Sequence, residues 1–348
     1  MRDLLDLPAS LIPVGEAVAA ALEGVRRVFD DQLASDLPPV SALVAHVERY
    51  RGKMLRPTLV LLSGLATHPR AAAAGDDAAA LAALLTGEHL TVGAVCEMVH
   101  MATLVHDDVL DGADVRRRGD TVNRLHGNEA AVILGDYLIA AAYHLCSTLE
   151  GGEAALRIGR ASMVVCAGEL LQLHHRDDFS LDEATYLEIV ERKTAELIAA
   201  SAELGAAASG ATPAARAAMA EFGRRLGVAF QIQDDLLDLT GLESVVGKPV
   251  GKDAEKGKTT LPVIHHLARA DPAQRGRTLL LLEAAASGDA GATPRLRRAL
   301  DGTDSLGHAR RAAERHVASA VGSIASLPDT PAKGLLLAMA EAVVDRRF

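Results

Sequence analysis

The fold class of this chain is indicated most clearly by residues Thr91–Asp111, with the sequence TVGAVCEMVHMATLVHDDVLD. Its apolar residues recur at steps of three and four, the spacing that places side chains on one face of an α-helix. The stripe consists of Val92, Val95, Met98, Val99, Ala102, Val105 and Val109. We therefore predict one long helix over this stretch, with an acidic cluster near its carboxyl end.

Similar stripes cover much of the remaining chain, over residues 129–149, 156–173, 181–204 and 213–239. The strict alternation of apolar and polar residues that is typical of strands is hard to find. Ser180, followed three residues later by Glu183, fits a capping box at the start of one helix. No linker of low complexity divides the chain. We therefore predict an all-α fold and a single large helical domain over residues 1–348.

Composition and charge exclude several classes of protein. The 36 Lys and Arg residues against 46 Asp and Glu residues give a net charge of −10, which is unsuited to binding nucleic acid. The best candidate for a membrane span, residues 130–146, carries Asp136 in its middle, so we expect no span. The amino-terminal residues lack the pattern of a signal peptide. Three cysteines without metal-ligand spacing are interpreted as buried small residues, and we expect a cytoplasmic protein.

Two acidic clusters share the form Asp-Asp-x-x-Asp. The first consists of Asp107, Asp108 and Asp111, and the second of Asp234, Asp235 and Asp238. Residues four apart on a helix share a face, so the first and last carboxylates of each cluster point the same way and repel each other. A Mg²⁺ ion shared with a phosphate-bearing ligand would remove that repulsion. A solvated acidic turn is the alternative interpretation of either cluster alone.

Basic residues lie close to both clusters in the sequence. Arg116, Arg117 and Arg118 follow the first cluster; Lys248, Lys252, Lys256 and Lys258 follow the second; Lys53 and Arg56 precede a predicted helix. Carboxylates, a metal ion and a ring of cations together can bind a diphosphate and stabilise it as a leaving group. Two such sets indicate two phosphate-bearing substrates, or one substrate held from both sides. For Lys252 and Lys256, surface salt bridges are the favoured interpretation.

The chain resembles the trans-type polyprenyl diphosphate synthases, which extend an allylic diphosphate head-to-tail with isopentenyl diphosphate. The resemblance runs over residues 52–262 and leaves further helices at 263–348. Besides the two acidic clusters, it rests on Gly-Lys-Met-Leu-Arg-Pro from Gly52, Gly-Glu-Leu-Leu-Gln from Gly168, Lys-Thr-Ala from Lys193, and Gly-Lys-Pro-Val-Gly-Lys-Asp from Gly247. It implies a helical bundle of the isoprenoid synthase type, with an active-site cavity between the helices that carry the clusters.

The resemblance also implies a role for each matching position. Three Mg²⁺ ions would bridge the allylic diphosphate, held by Asp107, Asp111 and Asp234, with Asp108, Asp235, Asp238 and Asp253 nearby or acting through water. Arg116, Lys193, Lys248 and Lys258 would bind the same diphosphate, with Thr194 and Gln231 as polar neighbours of the reacting carbon. Lys53, Arg56, His100 and Arg117 would bind the diphosphate of isopentenyl diphosphate. The departing diphosphate would take the released proton.

One position departs from the family pattern. This chain has Arg116-Arg117-Arg118-Gly119 where the family usually has Arg-Arg-Gly. The functional pair is therefore either Arg116 with Arg117 or Arg117 with Arg118. The resemblance further implies a homodimer that passes its hydrophobic product to membrane enzymes.

Product length in this family depends on side chains that line a tunnel before the first cluster. Ala102 and Thr103, the fifth and fourth residues before Asp107, are both small, where short-chain synthases tend to have an aromatic residue. Met98 and Val99 lie one turn deeper, and Tyr143 lies on the helix expected to face them. We expect an open tunnel and a product of heptaprenyl to decaprenyl length. Geranylgeranyl diphosphate is the alternative if Met98 or Tyr143 forms the floor.

Three other functions share parts of this pattern. Terpene cyclases and head-to-head squalene or phytoene synthases have the same kind of helices, but cyclases steer carbocations with aromatic faces, and this chain has 3% aromatic residues and no tryptophan. Cyclases also do not need a second diphosphate site such as Lys53, Arg56 and Arg117. A non-catalytic partner subunit of a two-chain synthase would be expected to have lost its acidic clusters, whereas both are intact here.

Overall fold

The structure, a computed structural model, describes residues 8–50, 52–75, 77–116, 119–241, 251–289 and 291–345. Helices dominate these ranges. The strands found within them are β1 (Val115–Arg116) and β2 (Gly119–Asp120), which pair antiparallel next to the first acidic cluster. The prediction of an all-α fold is confirmed.

The helices follow the predicted stripes. Those of the first half are α1 (Ile12–Leu33), α2 (Pro38–Val47), α3 (Leu55–Thr67), α4 (Ala71–Ala74), α5 (Ala78–Ala82), α6 (Gly87–Leu110), α7 (Val122–Ser147) and α8 (Glu153–His174). Those of the second half are α9 (Glu183–Val190), α10 (Glu196–Ala208), α11 (Pro213–Thr240), α12 (Lys252–Glu255), α13 (Leu261–Arg269), α14 (Pro272–Ala286), α15 (Ala292–Asp301), α16 (Ser305–Ser323) and α17 (Pro331–Val344). Single turns of 3₁₀ helix cover Ala9–Leu11 and Glu48–Tyr50, and a π-helix, Glu191–Ala195, joins α9 to α10.

The chain divides into two compact units, each made of three segments. Unit 1 comprises Met1–Ser162, Leu197–Gly223 and Val321–Met339. Unit 2 comprises Met163–Glu196, Arg224–Ala320 and Ala340–Phe348. The first acidic cluster belongs to unit 1 and the second to unit 2. The prediction of a single domain over 1–348 stays a prediction.

In unit 1 the long helix α6 is the central element. It packs against α1, α3 and α7, and its Met98 and Met101 side chains are fully buried. Helices α3 and α10 approach so closely that a Cβ atom on Gly205 would lie 2.1 Å from the carbonyl oxygen of Val60. Gly205 thus allows α3 and α10 to pack closely within unit 1.

In unit 2 the core that supports the second cluster lies between α9, α11 and α13. It includes Tyr186 of α9, Ile232 and Leu236 of α11, and Leu261 and Ile264 of α13. The apolar positions of α11 therefore anchor the helix on the face away from Asp234, which keeps partial exposure.

The predicted capping residue of α9 is wrong. Asp182 occupies the capping position, where its carboxylate accepts a hydrogen bond of 2.8 Å from the Thr185 N–H. The Ser180 hydroxyl instead donates to the Asp178 carboxylate at 2.5 Å. A carboxylate at the amino end of a helix also interacts favourably with the helix dipole, so Asp182 is the stronger cap.

The cysteine prediction holds for two residues of three. Cys96 and Cys146 are buried, whereas Cys166 is exposed on α8. Cys166 lies beside a stripe of exposed apolar side chains on this helix, and Met163, one turn earlier, is 75% exposed. Helical spacing therefore places Cys166 outside the core of the chain.

Helix α7 is the one helix of the described ranges that is long and apolar enough to cross a membrane by length and composition. Of its most apolar segment, 39% is buried inside the protein. A core helix of a water-soluble protein meets the same criterion, so one such helix is weak evidence for a span. The expectation that the chain has no membrane span stays a prediction.

Candidate active site

The first acidic cluster lies at the carboxyl end of α6. Asp107 and Asp108 belong to its last turn, and Asp111 is the residue that follows the helix, with its N–H bonded to the Asp107 carbonyl at 2.8 Å. Asp107 and Asp111 are half-buried, whereas Asp108 is only 1% exposed. The three carboxylates therefore differ in their access to a ligand.

Asp108 forms a tight ion pair with Arg116. The Arg116 Nε donates to both carboxylate oxygens, at 2.8 and 3.0 Å, and a terminal nitrogen of the same guanidinium lies 2.8 Å from Asp108 Oδ1. Burial by itself lowers the pKa of Arg116, but the hydrogen bonds and charge of Asp108 raise it overall. Asn123 donates to the Asp108 backbone carbonyl at 3.3 Å. Asp108 thus orients a predicted diphosphate-binding cation.

Tyr50 is a neighbour of this pair that the sequence analysis missed. The centre of the Arg116 guanidinium lies 5.9 Å from the centre of its ring, and its hydroxyl oxygen accepts a hydrogen bond of 3.1 Å from the Val122 N–H. Burial, with the nearby Asp108 carboxylate, raises the pKa of Tyr50 to about 12, so its hydroxyl stays protonated. Its position just before the Gly52 motif was the available signal.

Three of the residues predicted to bind isopentenyl diphosphate, Lys53, Arg56 and His100, lie near the start of α3 and within α6, in unit 1. Lys53 is exposed, and it precedes Met54, whose left-handed φ of 50° is uncommon for a residue other than glycine. Arg56 lies in the first turn of α3 with its Nε buried. Burial lowers the pKa of the Arg56 guanidinium, which the charge of the Glu97 carboxylate partly offsets. His100, half-buried, lies on α6 two turns before Asp107.

The predicted tunnel residues lie on α6 and α7, which pack against each other. Met98, Val99 and Ala102 are buried in unit 1, and Thr103 is half-buried with its hydroxyl bonded to the His100 carbonyl at 2.7 Å. Tyr143 is half-buried on α7. Small side chains therefore occupy the fifth and fourth positions before Asp107, and larger ones lie one turn deeper.

The second cluster lies in the last turns of α11. Asp234 is half-buried, and Asp235 and Asp238 are 5% and 4% exposed. The Asp238 carboxylate accepts hydrogen bonds from the backbone N–H groups of Lys252, at 3.2 Å, and Asp253, at 3.1 Å. Asp238 thereby ties the start of α12 to the end of α11.

Asp235 is held by two neutral donors. The Tyr186 hydroxyl donates to Oδ2 at 2.6 Å, and the Gln231 amide donates to Oδ1 at 2.8 Å. Burial is the largest cause that raises the pKa of Asp235, to about 7, and the two hydrogen bonds oppose it. Gln231 in turn accepts a hydrogen bond of 2.9 Å from the Thr194 hydroxyl. Two predicted neighbours of the reacting carbon are therefore in direct contact.

Lys193 and Thr194 lie in the π-helix Glu191–Ala195. Single π turns inside helices occur often at functional sites. Lys193 forms an ion pair with Glu169 on α8, and both residues belong to unit 2. The preceding Gly168 leaves room for the π turn, since a Cβ atom there would lie 2.6 Å from the Lys193 backbone nitrogen.

Lys258 is half-buried in unit 2, just after α12. Its backbone N–H donates to the Asp253 carbonyl at 2.9 Å, so Asp253 and Lys258 belong to one compact turn. The carbonyl of Gly257 in the same turn accepts from the Asp177 N–H at 2.9 Å. Arg117, Arg118 and Lys248 lie outside the described residues.

Within each unit the structure brings some of the predicted residues into direct contact. Unit 1 joins Asp108 to Arg116, and unit 2 joins Thr194, Gln231 and Asp235. Among the described residues, no group of three or more His, Cys, Asp and Glu side chains is arranged to hold a metal ion by itself. Mg²⁺ commonly binds through one or two carboxylates plus substrate phosphates and water, so half-exposed carboxylates such as Asp107, Asp111 and Asp234 fit this ion.

The chain matches the polyprenyl synthetase family over residues 38–295. It is 32% identical to the octaprenyl diphosphate synthase of Escherichia coli over 337 residues, which cover 97% of this chain and 99% of the relative. It is 34% identical to the heptaprenyl diphosphate synthase component 2 of Geobacillus stearothermophilus, covering 90% of this chain and 92% of the relative.

Solved structures agree with this match. The crystal structure of a polyprenyl synthase from Caulobacter crescentus, complexed with calcium and isoprenyl diphosphate, superposes with a TM-score of 0.85 at 32% identity, covering 97% of this chain and 98% of that one. The helical fold, the two acidic clusters and these similarities lead to one conclusion: the chain belongs to the polyprenyl synthetase family and is a prenyltransferase.

Proposed function

We propose that this prenyltransferase condenses isopentenyl diphosphate with an allylic prenyl diphosphate, head to tail, to give a long-chain all-trans polyprenyl diphosphate. The observation that carries the proposal is the pair of acidic clusters with half-exposed first carboxylates, Asp107 and Asp234, next to fixed polar partners. The names of the Escherichia coli and Geobacillus relatives support the substrate class and a long product.

Mg²⁺ is the proposed cofactor, and by the family resemblance three ions would be held together with the allylic diphosphate. By the family resemblance, Asp107, Asp111 and Asp234 are the carboxylates that would hold it, and these three are half-buried, whereas Asp108, Asp235 and Asp238 are buried. When bound, Mg²⁺ neutralises the charge that develops on the departing diphosphate. The family resemblance and the exposure of these three carboxylates support this assignment.

The chain's own residues would bind and orient the two substrates. Arg116, fixed by Asp108, presents its remaining N–H donors to the allylic diphosphate, and Lys193, Lys248 and Lys258 add positive charge. Lys53, Arg56, His100 and Arg117 would bind the diphosphate of isopentenyl diphosphate. As the allylic C–O bond breaks, the diphosphate leaves with the electron pair. The isopentenyl double bond attacks the allylic carbon, and a proton is lost to the diphosphate.

The product is proposed to lie in the heptaprenyl to decaprenyl range. The small side chains of Ala102 and Thr103, the fifth and fourth residues before Asp107, support room for a growing chain. Two residues are candidates for the floor of the tunnel. Met98 lies one turn deeper on α6, and Tyr143 lies on α7. If either closes the tunnel, the enzyme makes geranylgeranyl diphosphate instead.

An assay of the unmodified protein tests the function directly. The protein is incubated with Mg²⁺, labelled isopentenyl diphosphate and farnesyl diphosphate, and the dephosphorylated products are sized by mass spectrometry. A ladder that ends well beyond twenty carbons supports the long product, and a stop at twenty carbons supports the alternative. A folded protein that makes no product with any allylic primer would instead favour a non-catalytic partner subunit.

The tunnel is tested by Ala102→Tyr, which places an aromatic ring five residues before Asp107. We expect a product shorter by at least one prenyl unit, with turnover retained. Glu88→Tyr, an exposed position near the start of α6, is the matched control and should leave the product length unchanged. An unchanged ladder in Ala102→Tyr would show that the product grows elsewhere.

The functional unit is proposed to be a homodimer formed through α8. Leu156, Met163 and Leu170 recur every seven residues on this helix and are 78%, 75% and 67% exposed. Two helical turns separate each pair, so the three side chains form one apolar stripe that a second copy would cover. Met163→Glu should yield a monomer by light scattering; an unchanged dimer would place the interface elsewhere.

Passage of the product to membrane enzymes and the cytoplasmic location remain proposals.

A further inference from the structure

Four side chains of unit 2 form a continuous line of hydrogen bonds. The Thr194 hydroxyl donates to Gln231 Oε1 at 2.9 Å, Gln231 Nε2 donates to Asp235 Oδ1 at 2.8 Å, and the Tyr186 hydroxyl donates to Asp235 Oδ2 at 2.6 Å. Thr194 and Gln231 are the proposed polar neighbours of the reacting carbon. Tyr186 stands at the far end of the line and has no role assigned so far.

The Asp235 carboxylate sets the donor and acceptor of each hydrogen bond in this line. The Asp235 carboxylate accepts from the Tyr186 hydroxyl and from Gln231 Nε2, so the Gln231 amide turns its nitrogen toward Asp235. Its oxygen then faces Thr194, and the Thr194 hydroxyl proton is used to bond that oxygen. The Thr194 oxygen consequently offers only its lone pairs to anything else it meets, including a developing positive charge.

Tyr186 is fixed more firmly than the residues that it reaches. Its side chain is 4% exposed and packs in the core of unit 2 with Ile189 of α9 and Ile232 of α11. Gln231 and Thr194, by contrast, are half-buried. The rigid end of the line is therefore the phenol, which locks one carboxylate oxygen in place and leaves the other for Gln231.

We propose that Tyr186 is a positioning residue of this enzyme: by holding Asp235, it fixes the orientation of the Gln231 amide and, through it, the direction of the Thr194 hydroxyl at the reacting carbon. The inference rests on the proposed function, since it assumes that Thr194 and Gln231 face the allylic substrate. It assigns Tyr186 no contact with either substrate.

Tyr186→Phe tests the inference by removing one hydroxyl while keeping the ring that fills the core. We expect kcat to fall about tenfold, the value of one net hydrogen bond, with KM for isopentenyl diphosphate within about twofold of the unmodified enzyme. Tyr137→Phe on α7 removes the same atom from a half-buried tyrosine of unit 1 and should leave kcat unchanged. A Tyr186→Phe enzyme with unchanged kcat would overturn the proposal.

A double-mutant cycle separates positioning from a general loss of structure. If Tyr186 acts through Thr194, its substitution should have no further effect once the Thr194 hydroxyl is gone. The kcat of Tyr186→Phe/Thr194→Val should then lie within about twofold of that of Thr194→Val alone. A double variant whose loss is the product of the two single losses would contradict the inference.

A second variant covers the case in which Tyr186→Phe does not fold because the Asp235 carboxylate loses its donor. Tyr186→Phe/Asp235→Asn replaces the buried carboxyl group with an amide that can pair with Gln231 in either orientation. We expect it to fold, as judged by thermal unfolding, and to show the same loss of kcat; full activity would overturn the proposal. An unmodified enzyme without any prenyl product would refute the proposed function instead, so the two failures are distinguishable.

Discussion

The two acidic clusters have the same spacing in the sequence and different surroundings in the structure. In both, the first aspartate keeps partial exposure and the second is buried. Asp108 of unit 1 is paired with a cation, Arg116, whereas Asp235 of unit 2 is held by the neutral donors Tyr186 and Gln231. The third aspartates also differ, since Asp111 ends α6 and Asp238 accepts two backbone hydrogen bonds.

The aspartates of one motif can therefore have different roles. The exposed carboxylate of each cluster is suited to a metal ion, and the buried one holds other protein groups in place. In unit 1 the group held is a cation for the diphosphate. In unit 2 it is a hydrogen-bonded pair, Thr194 and Gln231, beside the proposed reacting carbon. Three predictions test how far the comparison holds.

The largest effect is expected from the first aspartate of each cluster. Asp107→Ala and Asp234→Ala should each lower kcat about a thousandfold, because stabilisation of a leaving group by metal ions is worth several kcal/mol. Thermal unfolding should change little, since both side chains are half-buried. Asp114→Ala serves as the control, because Asp114 is an exposed aspartate between α6 and β1. Turnover close to normal in Asp234→Ala alone would show that the clusters are not equivalent even in metal binding.

The next largest effect concerns the acid stability of unit 1. Burial lowers the pKa of His89 to about 4, and its ring bonds the Ser209 hydroxyl at 2.9 Å. Between pH 6.5 and 4 the unfolded chain binds a proton on this histidine and the folded chain does not, so the free energy of unfolding falls as the pH falls. The loss should reach about 3 kcal/mol at pH 4.

Denaturant titrations from pH 7 to pH 4 measure this loss. The slope against pH should diminish in His89→Gln, which cannot take up the proton. The exposed His126→Gln in the same unit is the matched control and should keep the slope of the unmodified protein. An undiminished slope in His89→Gln would mean that other groups govern the acid stability of unit 1.

The smallest effect sharpens the comparison of the two buried carboxylates. Asp108→Asn breaks a buried ion pair with a partly exposed arginine and should cost about 2 kcal/mol of unfolding free energy. Asp235→Asn breaks no ion pair and should cost less than about 1 kcal/mol at pH 7. Urea unfolding of the two isosteric variants side by side provides the measurement. Equal losses would remove the distinction between charged and neutral partners.

Much of the fold was predictable from local pattern. The stripe over residues 91–111 predicted α6, and those over 156–173 and 213–239 predicted α8 and α11, because helical periodicity is a property of neighbouring residues. The capping prediction failed at Ser180 because a second acceptor, the Asp182 carboxylate, lies two residues later and caps α9 instead. The exposure of Cys166 escaped prediction since a cysteine pattern does not tell which face of α8 is covered.

Within the candidate site, the types of residue could be predicted from the sequence, but the partners that they bind could not. The sequence by itself determined the helices, the two acidic clusters and the cations beside them, since composition and spacing suffice to place carboxylates on one helix face. Only the tertiary structure decided that Asp108 binds Arg116 and that Asp235 binds Tyr186, 49 residues away along the chain. The physical reason is that a buried carboxylate must find hydrogen-bond donors, and which donors it finds depends on packing between distant helices.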